Sequence, residues 1–167
     1  MKLVQCSEDK FKKDFLPMII DLWCGDKFIP NNSQHNEWLC KKIHASFIDF
    51  GTALCAYTEN DEPIGFILYK HDTGMEGVTF SGKIAHIIQF GLFEQYRNKG
   101  IGTKILNEAC NNIKNNGGEC LYTDTYAGGK NNDSMIYYIK RGFIPIGYHL
   151  GENGVDDFGQ VYFYKLL

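Results

Sequence analysis

The sequence predicts a mixed α/β fold in one domain. Two observations predict it. Apolar runs with strand character alternate with stretches whose apolar residues recur at helical spacing, in the order β-α-α-β-β-β-α-β-α-β-β. No repeat, low-complexity tract or linker interrupts that order, and 167 residues make one domain with a substantial core but are short for two.

Lys2–Cys6 reads as a short first strand. Lys10–Cys24 reads as a helix with Phe11, Phe15, Met18, Ile19 and Leu22 on one side. Pro17 lacks an amide donor and is expected to kink or split that helix. Gly25–Asn32 is a loop rich in Gly, Pro and Asn. Ser33 is the N-cap expected for a second helix, with Trp38, Leu39, Ile43 and Phe47 at helical spacing and Gly51 at its end. Ala53–Tyr57 and Pro63–Tyr69 form a hairpin around Glu59-Asn60-Asp61-Glu62. A polar connection, His71–Gly82, leads to a long strand, Ile84–Phe93. A helix follows with Ile101, Ile105, Leu106, Ala109 and Ile113 on one face, stopped at Asn116-Gly117-Gly118. Glu119–Thr125 is a strand, and Asn131–Lys140 a short helix closed by Gly142. Phe143–Leu150 and Gly159–Leu166 are the last strands, around a turn that holds Gly151, Asn153 and Gly154.

Composition excludes several functions. A net charge of −3 argues against a broad basic face for nucleic acid. No apolar stretch approaches the roughly 20 residues of a membrane span, and the first residues hold no apolar core of a secretion signal. The six cysteines, at positions 6, 24, 40, 55, 110 and 120, form no C-x-x-C pair and do not cluster with histidine. Reduced, structural thiols, no metal and a cytoplasmic location are therefore expected.

The most informative segment is Arg97-Asn98-Lys99-Gly100-Ile101-Gly102, which joins the long strand to the helix that follows it. A glycine-bearing turn from strand to helix aims several backbone N–H groups at one point. With the positive helix end and a nearby Arg, they suit a phosphate or pyrophosphate. An ordinary turn would look the same at this level. The segment is not a P-loop, because no Gly-Lys-Ser/Thr follows at the required spacing. Nor is it a dinucleotide fingerprint, because Ile105 stands where the third glycine belongs. It fits R/Q-x-x-G-x-G/A instead. Downstream, Asn131, Ser134, Tyr138, Gly142 and Phe143 fit N-x-x-A-x-x-x-Y-x-x-x-G-F with Ser in place of Ala. Read alone, Asn131 is a ligand-facing amide or a helix cap, and Tyr138 a functional hydroxyl or a core ring.

On these two motifs, in this order, the chain resembles the GNAT superfamily of N-acetyltransferases, whose element order it also follows. The resemblance implies an α+β GNAT fold over residues 1–167, a mixed central β-sheet flanked by helices. It implies acetyl-CoA as cosubstrate and a primary amine, of a small molecule, as acceptor, with direct attack in a ternary complex. Acetylation of a protein N-terminus or lysine is the alternative within the enzymes, and a non-catalytic acyl-CoA-binding sensor the alternative outside them. A homodimer through the last strands is common in such folds.

The resemblance also assigns residues. The amides of Asn98, Lys99, Gly100, Ile101, Gly102 and Thr103 would take the pyrophosphate beside Arg97, with Lys99 or Lys104 adding charge. Leu92 and Phe93, at an expected bulge beside Gly91, would pair with the pantetheine arm, and one of their N–H groups would polarise the thioester carbonyl. Glu94 replaces the frequent proline of the family. Asn131 and Ser134 complete the cofactor set. Tyr138 matches the general acid that protonates the departing sulfur, with its neighbour Tyr137 as competitor. Many members place a carboxylate on the central strand as base, and none lies between Ile84 and Phe93. His86 is one candidate, because imidazole titrates near neutrality, though a histidine satisfied by a structural hydrogen bond fits as well. Asp124 is the other. Acceptor recognition falls to regions that hold Trp23, Phe28, Glu37, Trp38, Tyr148, Asp156 and Asp157, where aromatics beside acids suit an ammonium or simply pack. The stretch Tyr126–Asn131 is either a flap over the acceptor or a tolerated insertion.

Overall fold

Apolar periodicity becomes packing first at helix α1 (Glu8–Cys24), which buries Phe11, Phe15, Met18 and Ile19 along one stripe. The computed structural model describes residues 1–24, 51–72, 83–126, 132–149 and 159–167. Around α1 stand strands β1 (Lys2–Cys6), β2 (Gly51–Tyr57) and β3 (Pro63–Asp72). They are followed by β4 (Ile84–Leu92), a 3-10 turn (Glu94–Tyr96), α2 (Ile101–Asn115), β5 (Cys120–Tyr126), α3 (Asn132–Ile139), β6 (Ile144–His149) and β7 (Gln160–Leu166). The strands form one seven-stranded mixed sheet in the order β1-β2-β3-β4-β5-β7-β6. Its described pairings are antiparallel except β4 with β5, which run parallel. This is an α+β fold.

The chain divides into two compact units, Met1–Lys70 with Ile88–Ala109, and His71–Ile87 with Cys110–Leu167. In the first, α1 packs its phenylalanines on β2 and β3. Phe66 meets Phe11 edge-on at 4.8 Å between centroids and lies 5.1 Å from Phe15. A polar network closes the edge of this core. Tyr57 donates its hydroxyl hydrogen to Asp14 at 2.7 Å, and Lys10 pairs with the same carboxylate at 2.8 Å. In the second unit, β5 runs between β4 and β7, with Ile84, Cys120 and Tyr122 buried together against Tyr164.

Several expectations need correction. Pro17 neither splits nor ends α1, which runs unbroken through it; Pro17 is exposed, so water can take the carbonyl its missing amide leaves. Gly51 begins β2, where it pairs with Lys70 of β3. His71 and Asp72 extend β3, and His71 is exposed there, as a polar side chain at a strand end can be. The rest of the expected second helix, from Ser33, and the loop 25–32 lie outside the described residues.

Candidate active site

In the first unit, the end of β4 shapes the backbone that follows it. After Phe93 the chain makes a 3-10 turn, closed by hydrogen bonds from Tyr96 N–H to Phe93 O (2.9 Å) and from Arg97 N–H to Glu94 O (3.0 Å). Asn98 and Gly100 then take positive φ, 58° and 74°. Asn tolerates that conformation best among residues with a side chain, and Gly adopts it without strain. Lys104 N–H closes the first turn of α2 on Gly100 O at 3.2 Å. The first-turn amides therefore stand at the positive end of a fifteen-residue helix, half-buried at Ile101–Thr103 behind the exposed Asn98–Gly100. Arg97 donates from Nε to Leu92 O at 3.1 Å, which fixes its guanidinium to the end of β4. Lys99 lies over the Tyr96 ring, 6.0 Å from its centroid.

One expectation at this end of the strand fails. The Phe93 N–H donates to Ile64 O at 3.0 Å, so it is spent within the fold and is no donor to a thioester or pantetheine. The close approach behind this bond is built at Gly65, where a Cβ would stand 2.6 Å from Gly91 O. β4 ends at Leu92, one residue before the expected boundary.

In the second unit, the end of α3 explains the downstream motif. Gly142 takes φ 80° and donates its N–H to Ile139 O at 3.0 Å, while Phe143 N–H reaches Tyr138 O at 3.1 Å. This is a Schellman termination, whose usual companion is an apolar contact between the residue after the glycine and the one five before it. Those residues are Phe143 and Tyr138, edge-on at 5.1 Å. The spacing Y-x-x-x-G-F is thus a helix-ending device that fixes the tyrosine ring. Phe163 flanks it at 5.9 Å.

Tyr138 is only 7% exposed, and Thr123 is 2% exposed. The two share a hydrogen bond. The Thr123 hydroxyl also reaches Ile87 O at 3.4 Å. Burial pushes the Tyr138 phenol well above its ordinary pKa, against the opposing pull of the Thr123 hydrogen bond. The rival Tyr137 carries the Arg141 guanidinium over its ring at 4.5 Å.

The other face of the paired strands β4 and β5 carries the two candidate bases, His86 on β4 and Asp124 on β5. The parallel register sets His86 against Tyr122 and Ile87 against Thr123. Side chains alternate along a strand, so His86, Tyr122 and Asp124 share one face while Thr123 points to the other. His86 Nε2 lies 3.2 Å from Asp124 Oδ1, with the two side chains 20% and 27% exposed. The His86 ring stacks on Tyr122 at 4.2 Å with 5° between planes.

These two arrangements, an anion-suited turn and a buried tyrosine behind a helix stop, meet their counterpart in sequence comparison. The model of the acetyltransferase (GNAT) family matches residues 16–143. The chain belongs to the GNAT acetyltransferase family. It is an acyltransferase by that membership. Solved GNAT structures share its fold. An acetyltransferase of the GNAT family from Staphylococcus aureus Mu50 is 16% identical over 99% of this chain and 98% of its own, with a TM-score of 0.70. Arabidopsis thaliana NAA60 in complex with acetyl-CoA is 17% identical over 99% and 98%, also at 0.70. An aminoglycoside 6'-N-acetyltransferase complexed with coenzyme A is 14% identical over 99% and 97%, at 0.69. A sequence search of curated proteins gives no significant match.

Within the GNAT frame, sequence reasoning passed over Thr123 and Tyr122. A threonine and a tyrosine in a strand look like ordinary β-formers, and the one available signal was their adjacency to Asp124. Ser134 lies partly buried on α3, and Tyr148 is exposed on β6. Asn131, Phe28, Glu37, Trp38, Asp156, Asp157 and the stretch 127–131 lie outside the described residues.

Proposed function

We propose that the chain transfers the acetyl group of acetyl-CoA to a primary amine of a small molecule, by direct attack in a ternary complex. The observation that carries this reading is the turn Arg97–Gly102, with two left-handed residues and an anchored Arg at the start of α2. Such a turn suits a pyrophosphate, through the amides of Asn98 to Thr103, the Arg97 guanidinium and the Lys99 and Lys104 ammoniums. Relatives of the same fold hold coenzyme A or acetyl-CoA, which favours the same ligand here. With the Phe93 amide engaged, polarising the thioester carbonyl falls to Leu92, and Asn131 and Ser134 complete the cofactor set.

Tyr138 is the general acid in this reading. Its phenol is protonated at neutral pH, the state needed to give a proton to the departing thiolate, and burial raises its pKa further. The base comes from the His86–Asp124 side of β5. Residues 1–167 act as one acetyltransferase domain in a cytoplasmic setting that keeps Cys6, Cys55, Cys110 and Cys120 as free thiols. Among the described residues no helix is long and apolar enough to cross a membrane. Exposed Ile144, Ile146 and Tyr148 on β6, last in the sheet order, fit a homodimer contact.

The test is calorimetric titration with acetyl-CoA, followed by thiol release against polyamines, amino acids, aminoglycosides and N-terminal peptides. Binding with release on a small amine is expected. Release on peptides alone overturns the substrate class. Binding without release on any acceptor overturns the transferase in favour of a sensor. No binding overturns the reading of the turn.

A further inference from the structure

We infer that His86 and Asp124 act as one base, with Nδ1 of His86 taking the proton and Asp124 as its positioning residue. The inference rests on the acetyltransferase reading above. The 3.2 Å contact engages Nε2 with the Asp124 carboxylate, an acceptor when ionised, so in the base form of the ring Nδ1 is the nitrogen left for substrate. The lone pair then stands at Nδ1. Two restraints fix the ring: the contact with Asp124 sets its rotation, and the parallel stack on Tyr122 sets its plane. Tyr122 is itself rigidly held, buried with Ile84, Cys120 and Tyr164. A pair needed only to fasten β4 to β5 would be redundant here, because the backbone ladder already joins the strands at His86 and Ile87. Partial exposure of both side chains lets a captured proton leave to water.

The step balances as follows. The acceptor ammonium gives one proton to His86 Nδ1, and the nitrogen lone pair attacks the thioester carbonyl carbon while the π pair moves to oxygen. As the oxyanion collapses, the carbon–sulfur bond breaks and the sulfur takes the proton of Tyr138. The nitrogen loses its second proton to solvent, which restores Tyr138, and His86 returns its proton to water. Asp124 stabilises the imidazolium formed on the way and is never the proton acceptor from substrate.

Nitrogen-15 NMR of the imidazole in the full chain tests the geometry without reference to activity. The expected result is the Nε2–H tautomer in the wild type and a mixture of tautomers in Asp124→Ala. Kinetics test the role. His86→Gln is expected to lower kcat about 100-fold or more, a size ordinary for loss of a general base. Asp124→Asn keeps the shape and an acceptor oxygen but not the charge, and is expected to lower kcat about tenfold or more with the KM for acetyl-CoA unchanged. An Nδ1–H tautomer in the wild type, or wild-type kcat in either variant, overturns the inference. Absence of acetyl transfer by the wild type on every acceptor would instead overturn the reading beneath it, while the tautomer still reports on the pair.

Discussion

In the proposed reaction the two faces of the β4–β5 pair treat a proton in opposite ways. On one face Tyr138 is sealed against Thr123, Phe143 and Phe163, and burial raises the pKa of its phenol. On the other, His86 and Asp124 are partly exposed, stacked on a rigid tyrosine, and open to water. An acid must keep its proton until the leaving group claims it, whereas a base must shed its proton before each turnover. Burial serves the first and partial exposure the second. One strand separates the two by alternation alone, Thr123 pointing one way and Tyr122 with Asp124 the other. The difference teaches that the groups need no distance along the chain to differ in chemistry, only opposite sides of a sheet.

The strongest way to break this contrast is to remove the proposed acid. Tyr138→Phe is expected to lower kcat about 100-fold or more while the acetyl-CoA affinity stays within a factor of about two, read by steady-state thiol release and calorimetry. Next comes its support. Thr123→Val removes the hydroxyl that hydrogen-bonds Tyr138, and an about tenfold loss of kcat is expected, restored in large part by Thr123→Ser. In the Tyr138→Phe background the same change is expected to cost no further activity, and an additive loss would show that Thr123 acts elsewhere.

Smaller effects follow from the fold. Gly142 has φ 80° and open space around a would-be Cβ, so Gly142→Ala meets no clash and pays only for the left-handed backbone. About 1 kcal/mol of stability is expected to go, roughly 2–4 °C in Tm for a chain of this size. Titration of stability sharpens the same comparison. Tyr138 has a raised pKa in the folded state, so the folded chain holds its proton where the unfolded chain, near pH 10, releases it. Its contribution is therefore complete below about pH 10 and lost as pH rises above that, and Tyr138→Phe is expected to flatten this alkaline loss. Asp14 behaves in the opposite sense. Burial alone would raise its pKa, but hydrogen bonds from Lys10 and Tyr57 outweigh burial and lower it below 3.8. Its contribution is present above that value and lost as pH falls below it. Tyr57→Phe is expected to cost about 1–2 kcal/mol at neutral pH, and to weaken the acid dependence, both by chemical denaturation.

What the sequence disclosed and what it hid follow from locality. The conformation of the turn Arg97–Gly102 was legible because left-handed backbone is written in contiguous Asn and Gly residues. Tyr138 was legible because a Schellman termination ties it to Gly142 and Phe143 within one helical turn. His86 and Asp124 were each visible but stood as rivals, since they are 38 residues apart and only the parallel register joins them. The loss of the Phe93 amide to Ile64 was hidden for the same reason, as was the close approach at Gly65 that permits it. Pro17 misled because the rule for prolines in helices is weakest where the freed carbonyl meets water.

The most direct measurement is amine-dependent release of thiol from acetyl-CoA by the purified full chain and by Tyr138→Phe, side by side at saturating acetyl-CoA. The expected result is release matched one for one by acetylated amine in the wild type, and an about 100-fold slower rate in the variant with acetyl-CoA still bound. Equal rates in the two proteins, or bound acetyl-CoA that no amine discharges, would contradict it.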